Sequence, residues 1–405
     1  MFHGPPTRVF NGLRLMDALR PRLIRLAHDE SEHPLVLQLG GDDRTSLVAA
    51  VAAARRHGGF QEINLNCGCP SISTGGADYG AALMRRARHT RSLVEALGSA
   101  AAGDLEISVK CRIGVHDALA PNGAVPDDSY DVLRSFVDEA VVGGGASHVV
   151  VHARSAVLGG LSPGKNRVVP PLRHAYVRRL AADLPGLRVT LNGGLALGGN
   201  WLHGDSCRDW LGPEVDGVML GRSVLRHPLD LWQVDNAWPG LPHRAGSARS
   251  AARARTPSAA IDQYVQYACR MLASRDGGRR SARAADVLAP LVLVAEHLRE
   301  ADSEADGGEE EISHPQRGGW LTSSPLSDVQ ERRDIFYALW EGAASILAED
   351  RPNGGELGAK PAALLLAEAE DVTLPMRPLM KLLARGMGKK EANKLARNRA
   401  EDLTL

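Results

Sequence analysis

Cysteine is scarce in this chain. Five residues in 405 (Cys67, Cys69, Cys111, Cys207 and Cys269) are too few and too scattered for a disulfide framework, which points to a reducing compartment. Net charge is absent as well: 48 Lys and Arg balance 48 Asp and Glu, so any affinity for nucleic acid has to rest on local patches. No run approaches the 18 apolar residues of a membrane span. The N-terminus, MFHGPPTRVFNGLRLM, lacks the apolar core of a secretory signal. It contains arginines and is free of acids until Asp17, which leaves an organelle transit segment open beside the expected cytoplasmic location. No repeat of solenoid period is seen.

What is present is an alternation. PLVLQLGG, QEINLN, LEISVKCRIG, ASHVVVHAR, LRVTLNGG and VDGVMLGR read as six strands. Between them, DDRTSLVAAVAAARRHG, YGAALMRRARHTRSLVEALGSA, DSYDVLRSFVDEAVVGGG and LRHAYVRRLAADLPG read as helical. Asp42 or Asp43 caps the first of these helices, and Asp128 or Ser129 caps the third. The pattern predicts an α/β fold with a parallel sheet, and doubly wound sheets and (β/α)8 barrels both produce it. From about Ser258 the chain reads as helices alone. They are interrupted by an acidic linker at about 300–325 and by RPNGGELGAKP.

Each strand ends in chemically useful residues. Gln38 ends the first, and Asn66 with Cys69 follows the second. Lys110 and Arg112 lie on the third, His152 and Arg154 end the fourth, Asn192–Gly193–Gly194 ends the fifth, and Gly221–Arg222 ends the sixth. In a barrel, polar residues at C-terminal strand ends read as active-site residues, and the glycine runs suit a phosphate. The pair in EINLNCGCPS is compatible with a metal site, a redox pair or a catalytic thiol. A metal is not expected, because Cys67 and Cys69 lack a second ligand pair at useful spacing.

LQLGG, INLNCGCPS, YGAALM, SVKCRIG, VVHARSAVLGGLSPGKNRVVPPL, LNGG and VDGVMLGR, taken together and in order from about Ala18 to Asp235, resemble the tRNA-dihydrouridine synthases. The Ser-Pro-x-x-Asn-Arg stretch followed by Pro-Pro-Leu resembles the A branch. The resemblance implies an FMN-binding (β/α)8 TIM barrel followed by an all-α C-terminal domain. It implies reduction of D-loop uridines of tRNA, at or next to the twentieth position, with electrons from NADPH. Cys69, in Gly-Cys-Pro, matches the family's proton donor. Gln38, Lys110, His152, Asn192, Gly193, Gly194, Gly221 and Arg222 match its FMN contacts, and Asn66, Lys165 and Arg167 fall where it touches tRNA. Arg154 is a further candidate for phosphate or base. Cys67 occupies a variable position of the pattern and is expected to be a buried packing residue.

The family pattern opens with a strand carrying Ala-Pro-Met, then a helix and a second strand, which the sequence before Ala18 does not match. The expected barrel (18–240) therefore lacks its first two strands, after an unassigned segment 1–17. The helical part (241–405) resembles the family at its first helix and last segment, with an insertion between. Arg377–Arg399 holds eight cations against Glu391 alone. Lys389, Lys390 and Lys394 are the tRNA-phosphate candidates there. A monomeric enzyme is expected. The rival is an impaired paralogue that keeps the tRNA surface without the chemistry.

Overall fold

In the computed structural model the described residues are 33–70, 79–195, 214–222, 256–276, 279–280, 282–306, 328–351, 360–369 and 373–388, with isolated positions beside them. They fall into two compact units that divide at Leu220. The segment 1–17, most of the acidic linker, the expected boundary near 240, and Lys389, Lys390 and Lys394 lie outside the described residues.

The first unit is built on a six-stranded sheet, β1 (Val36–Leu39), β2 (Glu62–Cys67), β3 (Glu106–Arg112), β4 (His148–His152), β5 (Arg188–Asn192) and β6 (Gly217–Met219). Every pairing is parallel, and the strands neighbour one another in chain order. A doubly wound sheet reverses its order at a switch point. This one has no reversal, so of the two architectures its course is that of a barrel wall. Among the described residues β1 and β6 are its edges.

Helices connect the strands: α1 (Arg44–His57), α2 (Ala87–Ala101), α3 (Tyr130–Phe136, continued by a π-helical stretch Val137–Val142) and α4 (His174–Asp183). The Asp43 carboxylate caps α1 by accepting the Ser46 N–H at 2.8 Å, and Ser129 caps α3 by accepting that of Asp131 at 3.2 Å. The helical stretch from Tyr79 to Ala100 is two elements. A 3₁₀ turn, Gly80–Arg85, precedes α2, and Arg86 between them leaves helical geometry. At the start of the 3₁₀ turn the Ala81 N–H donates to the Cys69 carbonyl at 2.8 Å.

Alternation along the strands sorts the residues by face. Leu37, Leu39, Ile63, Leu65, Cys67, Ile107, Val109, Cys111, Val149, Val151, Val189 and Leu191, all odd-numbered, form an apolar face and are buried. The even-numbered positions make the other face. Register aligns Gln38, Asn64, Ser108, His148 and Arg188 across it. The next row is Asn66, Lys110, Val150 and Thr190, and the last is Arg112, His152 and Asn192. This second face is polar and partly buried: Asn64, Asn66, Ser108, Arg112 and His152 are buried on it.

The described residues of the second unit are helices α5 (Pro257–Ala273), α6 (Ala284–Asp306), α7 (Val329–Asp350), α8 (Ala362–Ala367) and α9 (Met376–Met387), with a short ladder between Arg275–Asp276 and Arg279–Arg280. Their core includes Leu272, Leu288, Leu291, Phe336, Leu339, Ile346 and Leu379. Thr256 caps α5 and Asp328 caps α7 through their side-chain oxygens. Among the described residues no helix is long and apolar enough to cross a membrane.

Candidate active site

The turn after β2 is built by Asn66. Its side-chain oxygen accepts the Gly68 N–H at 3.1 Å and the Cys69 N–H at 3.0 Å, which ends the strand and turns the chain. The Asn66 amide nitrogen donates to Gln38 Oε1 at 3.2 Å, so Gln38, Asn66 and Cys69 are one hydrogen-bonded group. Gly80 closes the turn from the other side. Its φ is +68°, and a Cβ there would stand 2.6 Å from the Cys69 carbonyl oxygen. Cys69 is a half-buried free thiol, whereas Cys67 is fully buried, beside Cys111 in register. Burial pushes the Cys67 thiol far up and that of Cys111 to about 12, which makes both unreactive.

Lys110 has no carboxylate partner among the described residues. Burial, then the charge of Arg112, brings its ammonium down to about 8, with Cys111 and Cys69 acting the other way. Burial, then Arg167, lowers Arg112 to about 10. The end of the polar face nearest Cys69 therefore gathers Lys110, Arg112, Arg154 and Arg167, and none of the groups acting on Lys110 or Arg112 is a carboxylate. Among the described residues no cluster of three His, Cys, Asp or Glu could hold a metal.

Arg112 also holds the site together. Its guanidinium donates to the carbonyls of Gly68 (2.9 Å), Ser155 (2.8 Å) and Asn166 (2.9 Å). Asn166 is fully buried; its oxygen accepts the Val157 N–H at 2.7 Å and its amide donates to the Val157 carbonyl at 2.8 Å. That anchor leaves its neighbours Lys165 and Arg167 exposed, as a phosphate contact requires. Arg154 donates to the carbonyls of Val168 (2.9 Å) and Pro170, so it braces the same loop.

His152 is 8% exposed at the end of β4 and abuts the turn after β5. Gly193 and Gly194 adopt φ of +104° and +69°, and a Cβ on Gly193 would lie 2.3 Å from His152 Cδ2, so the turn requires glycine there. The Asn192 amide donates to the Met219 carbonyl at 2.7 Å, using one of its two hydrogens within the sheet. Gly221 and Arg222 fall in the second unit.

Sequence reasoning did not assign the roles of Arg112 and Asn166, and it missed a cluster lower on the polar face. There Glu62 accepts from Ser108, from His148 Nδ1 at 3.1 Å and from Arg188 at 2.9 Å, and Arg188 also reaches Glu106 at 2.6 Å. Burial pushes the Glu62 carboxyl up, but bonds from His148 and Ser108 and the charges of His148 and Arg188 outweigh it and hold it below its ordinary value. The available signal was parity, since Glu62, Ser108, His148 and Arg188 share the numbering phase of Asn66 and Lys110.

A sheet of this order, with a half-buried thiol and a group of cations at one end of its polar face, defines a parallel α/β protein. The dihydrouridine synthase (Dus) family model matches residues 16–315, and the chain belongs to that family. It is 43% identical over 253 residues to a tRNA-dihydrouridine(20/20a) synthase of Xanthomonas campestris pv. campestris, covering 60% of this chain and 69% of the relative. It is 46% identical over 252 residues to the protein of the same name from Xanthomonas axonopodis pv. citri, with the same coverage. Against that of Xylella fastidiosa (strain Temecula1) it is 40% identical over 223 residues, covering 55% of this chain and 61% of the relative.

The lowered Lys110 ammonium gives a stability test. Unfolding returns it to its ordinary value near 10.5 from about 8. Between those values the unfolded chain binds more protons, so stability rises with pH across that window. Lys110→Met is expected to be more stable than the parent protein at pH 7, with the advantage shrinking from pH 8 to 10.5. Urea midpoints across that range check this, and a pH-independent difference would refute it.

Proposed function

We propose that this chain is a tRNA-dihydrouridine synthase, reducing a D-loop uridine at or next to the twentieth position. The observation that carries the reading is the Cys69 turn, a free thiol held beside a half-buried lysine that has no carboxylate partner among the described residues. Reduction of uracil adds a hydride at C6 and a proton at C5, and both faces of that bond are reachable only in a base drawn out of its stack. A thiol suits the proton step because its pKa lies nearer neutrality than that of a serine or tyrosine hydroxyl. Cys69 would deliver its proton to C5, and the thiolate left behind would sit in the positive field of Lys110, Arg112 and Arg167.

The residues fit FMN, which when bound would supply the hydride and be recharged by NADPH. A half-buried lysine without a carboxylate partner among the described residues suits negative charge on a reduced ring, and Gly193–Gly194 adopts backbone that favours glycine. Gln38, Lys110, His152 and the Asn192–Gly194 turn would hold it. Lys165 and Arg167, exposed on either side of buried Asn166, would meet tRNA phosphate, and Arg154 would act by bracing their loop. Asn66 would serve tRNA through the turn it builds.

Unmodified tRNA incubated with the protein, FMN and NADPH should yield dihydrouridine by mass spectrometry of its nucleosides. Cys69→Ala should slow product formation by about 10²–10⁴-fold, the usual worth of a positioned general acid, while NADPH still bleaches added flavin. Cys67→Ala should cost at most a few-fold, through packing. Normal product from Cys69→Ala would overturn the assignment.

The C-terminal lysines are proposed to bind tRNA phosphate. Replacing Lys389, Lys390 and Lys394 by Ala should weaken tRNA binding and flatten its salt dependence by roughly one unit per lost phosphate contact. An unchanged slope would make them solvated surface.

A further inference from the structure

We propose that Glu62, at the start of β2, is a positioning residue for the Cys69 turn, acting through a hydrogen-bond relay of fixed polarity that runs up the inner face of the sheet. The Gly68 and Cys69 N–H groups donate to Asn66 Oδ1. Asn66 Nδ2 donates to Gln38 Oε1 at 3.2 Å, Gln38 Nε2 to Asn64 Oδ1 at 2.8 Å, and Asn64 Nδ2 to Ser108 Oγ at 2.7 Å. Ser108 Oγ then donates to Glu62 Oε1. The relay covers four residues of strand rise, roughly 13 Å, and crosses between three strands on the way.

The force of this arrangement lies in direction. Each amide has an oxygen end and a nitrogen end and can be turned over by half a revolution. A pair of amides alone is satisfied either way round. A carboxylate only accepts, so Ser108 has to donate to Glu62, and its oxygen is then the acceptor for Asn64. That choice turns the Asn64 oxygen to Gln38, the Gln38 oxygen to Asn66, and the Asn66 oxygen to the two backbone N–H groups. The far end makes the same demand, because a backbone N–H only donates. His148 and Arg188 hold Glu62 from the other side. Reversing the polarity at Glu62 would bring the Asn66 amide hydrogens against the Gly68 and Cys69 N–H groups, and the turn that carries the thiol would lose both bonds. The same reversal would exchange the donor and acceptor that Gln38 presents. The inference rests on the proposed function only for what the turn is used for; the relay itself is independent of substrate.

The test uses the full chain and reads the thiol directly. Glu62→Gln keeps the shape of Glu62 and gives it donor hydrogens, and Ser108→Ala cuts the relay next to it. Thr190→Val is the control: Thr190 lies 2.9 Å from His148 Nε2 in the same cluster but outside the relay. Iodoacetamide labelling of Cys69 is followed by peptide mass spectrometry at fixed pH, with the melting temperature of each variant measured alongside. Glu62→Gln and Ser108→Ala should each change the labelling rate by about tenfold, and the double variant no further than Ser108→Ala alone. Thr190→Val should label at the parent rate. With tRNA as substrate, kcat should fall by about 10- to 100-fold while KM for tRNA stays put. Parent-rate labelling in Ser108→Ala and Glu62→Gln would overturn the relay, as would a Thr190→Val effect of equal size, which would reduce Glu62 to general stability. If Glu62→Gln fails to fold, Ser108→Ala decides alone. A parent protein that makes no dihydrouridine, with the labelling pattern as expected, would sink the functional reading and leave the relay standing.

Discussion

The two-residue period of the strands is the constraint from which the site follows. Once Leu37, Ile63, Leu65, Val109, Val149 and Val189 are committed to one face, their neighbours in sequence are committed to the other. Those neighbours are Gln38, Asn64, Asn66, Ser108, Lys110, His148 and Thr190. Asn64, Asn66 and Ser108 are buried and the others half-buried, and an unpaired polar group in such a place costs on the order of 1–3 kcal/mol. The face therefore has to satisfy itself, and amides, hydroxyl and imidazole meet across the strands wherever register brings them level.

Charge is not distributed evenly along that face. At the N-terminal ends of the strands the carboxylates Glu62 and Glu106 are met by His148 and Arg188, so the charges there are compensated. At the C-terminal ends the half-buried Lys110 and the buried Arg112 lie among other cations, and the partners of Arg112 are backbone carbonyls. A lysine partly withdrawn from water without a counter-charge has its ammonium disfavoured, as at Lys110, unless an anion binds beside it. One sheet face thus separates a closed, self-satisfied end from an open, positive one. The separation runs in the direction that α/β barrels use for chemistry.

Much of this was legible in the sequence. Six strands, the caps at Asp43 and Ser129, and the polar strand ends from Gln38 to Asn192 all follow from local pattern, because period and capping act within a few residues. What the pattern could not carry was partnership over distance. Arg112 finds Gly68, Ser155 and Asn166, each more than 40 residues away, and nothing near it in sequence marks it as a clamp. Glu62 reads locally as a charged residue at a strand start, the usual place for a solvated side chain, and it is buried only because β3, β4 and β5 bring Ser108, His148 and Arg188 to it. Equally hidden was the bond of the Ala81 N–H to the carbonyl of Cys69, twelve residues back.

The two cysteines of EINLNCGCPS show how small a difference separates an inert thiol from a usable one. Positions 67 and 69 share a phase, so in an uninterrupted strand Cys69 would follow Leu65 and Cys67 onto the apolar face. It would then be buried as they are. The strand stops because Asn66 takes the next two backbone N–H groups for its own side chain, removing them from the ladder with β3. The Cys69 carbonyl is then fixed by Ala81, and that of Gly68 by Arg112. The thiol owes its exposure to a side-chain amide oriented one particular way: its oxygen faces the two backbone N–H groups of the turn, and its nitrogen faces Gln38.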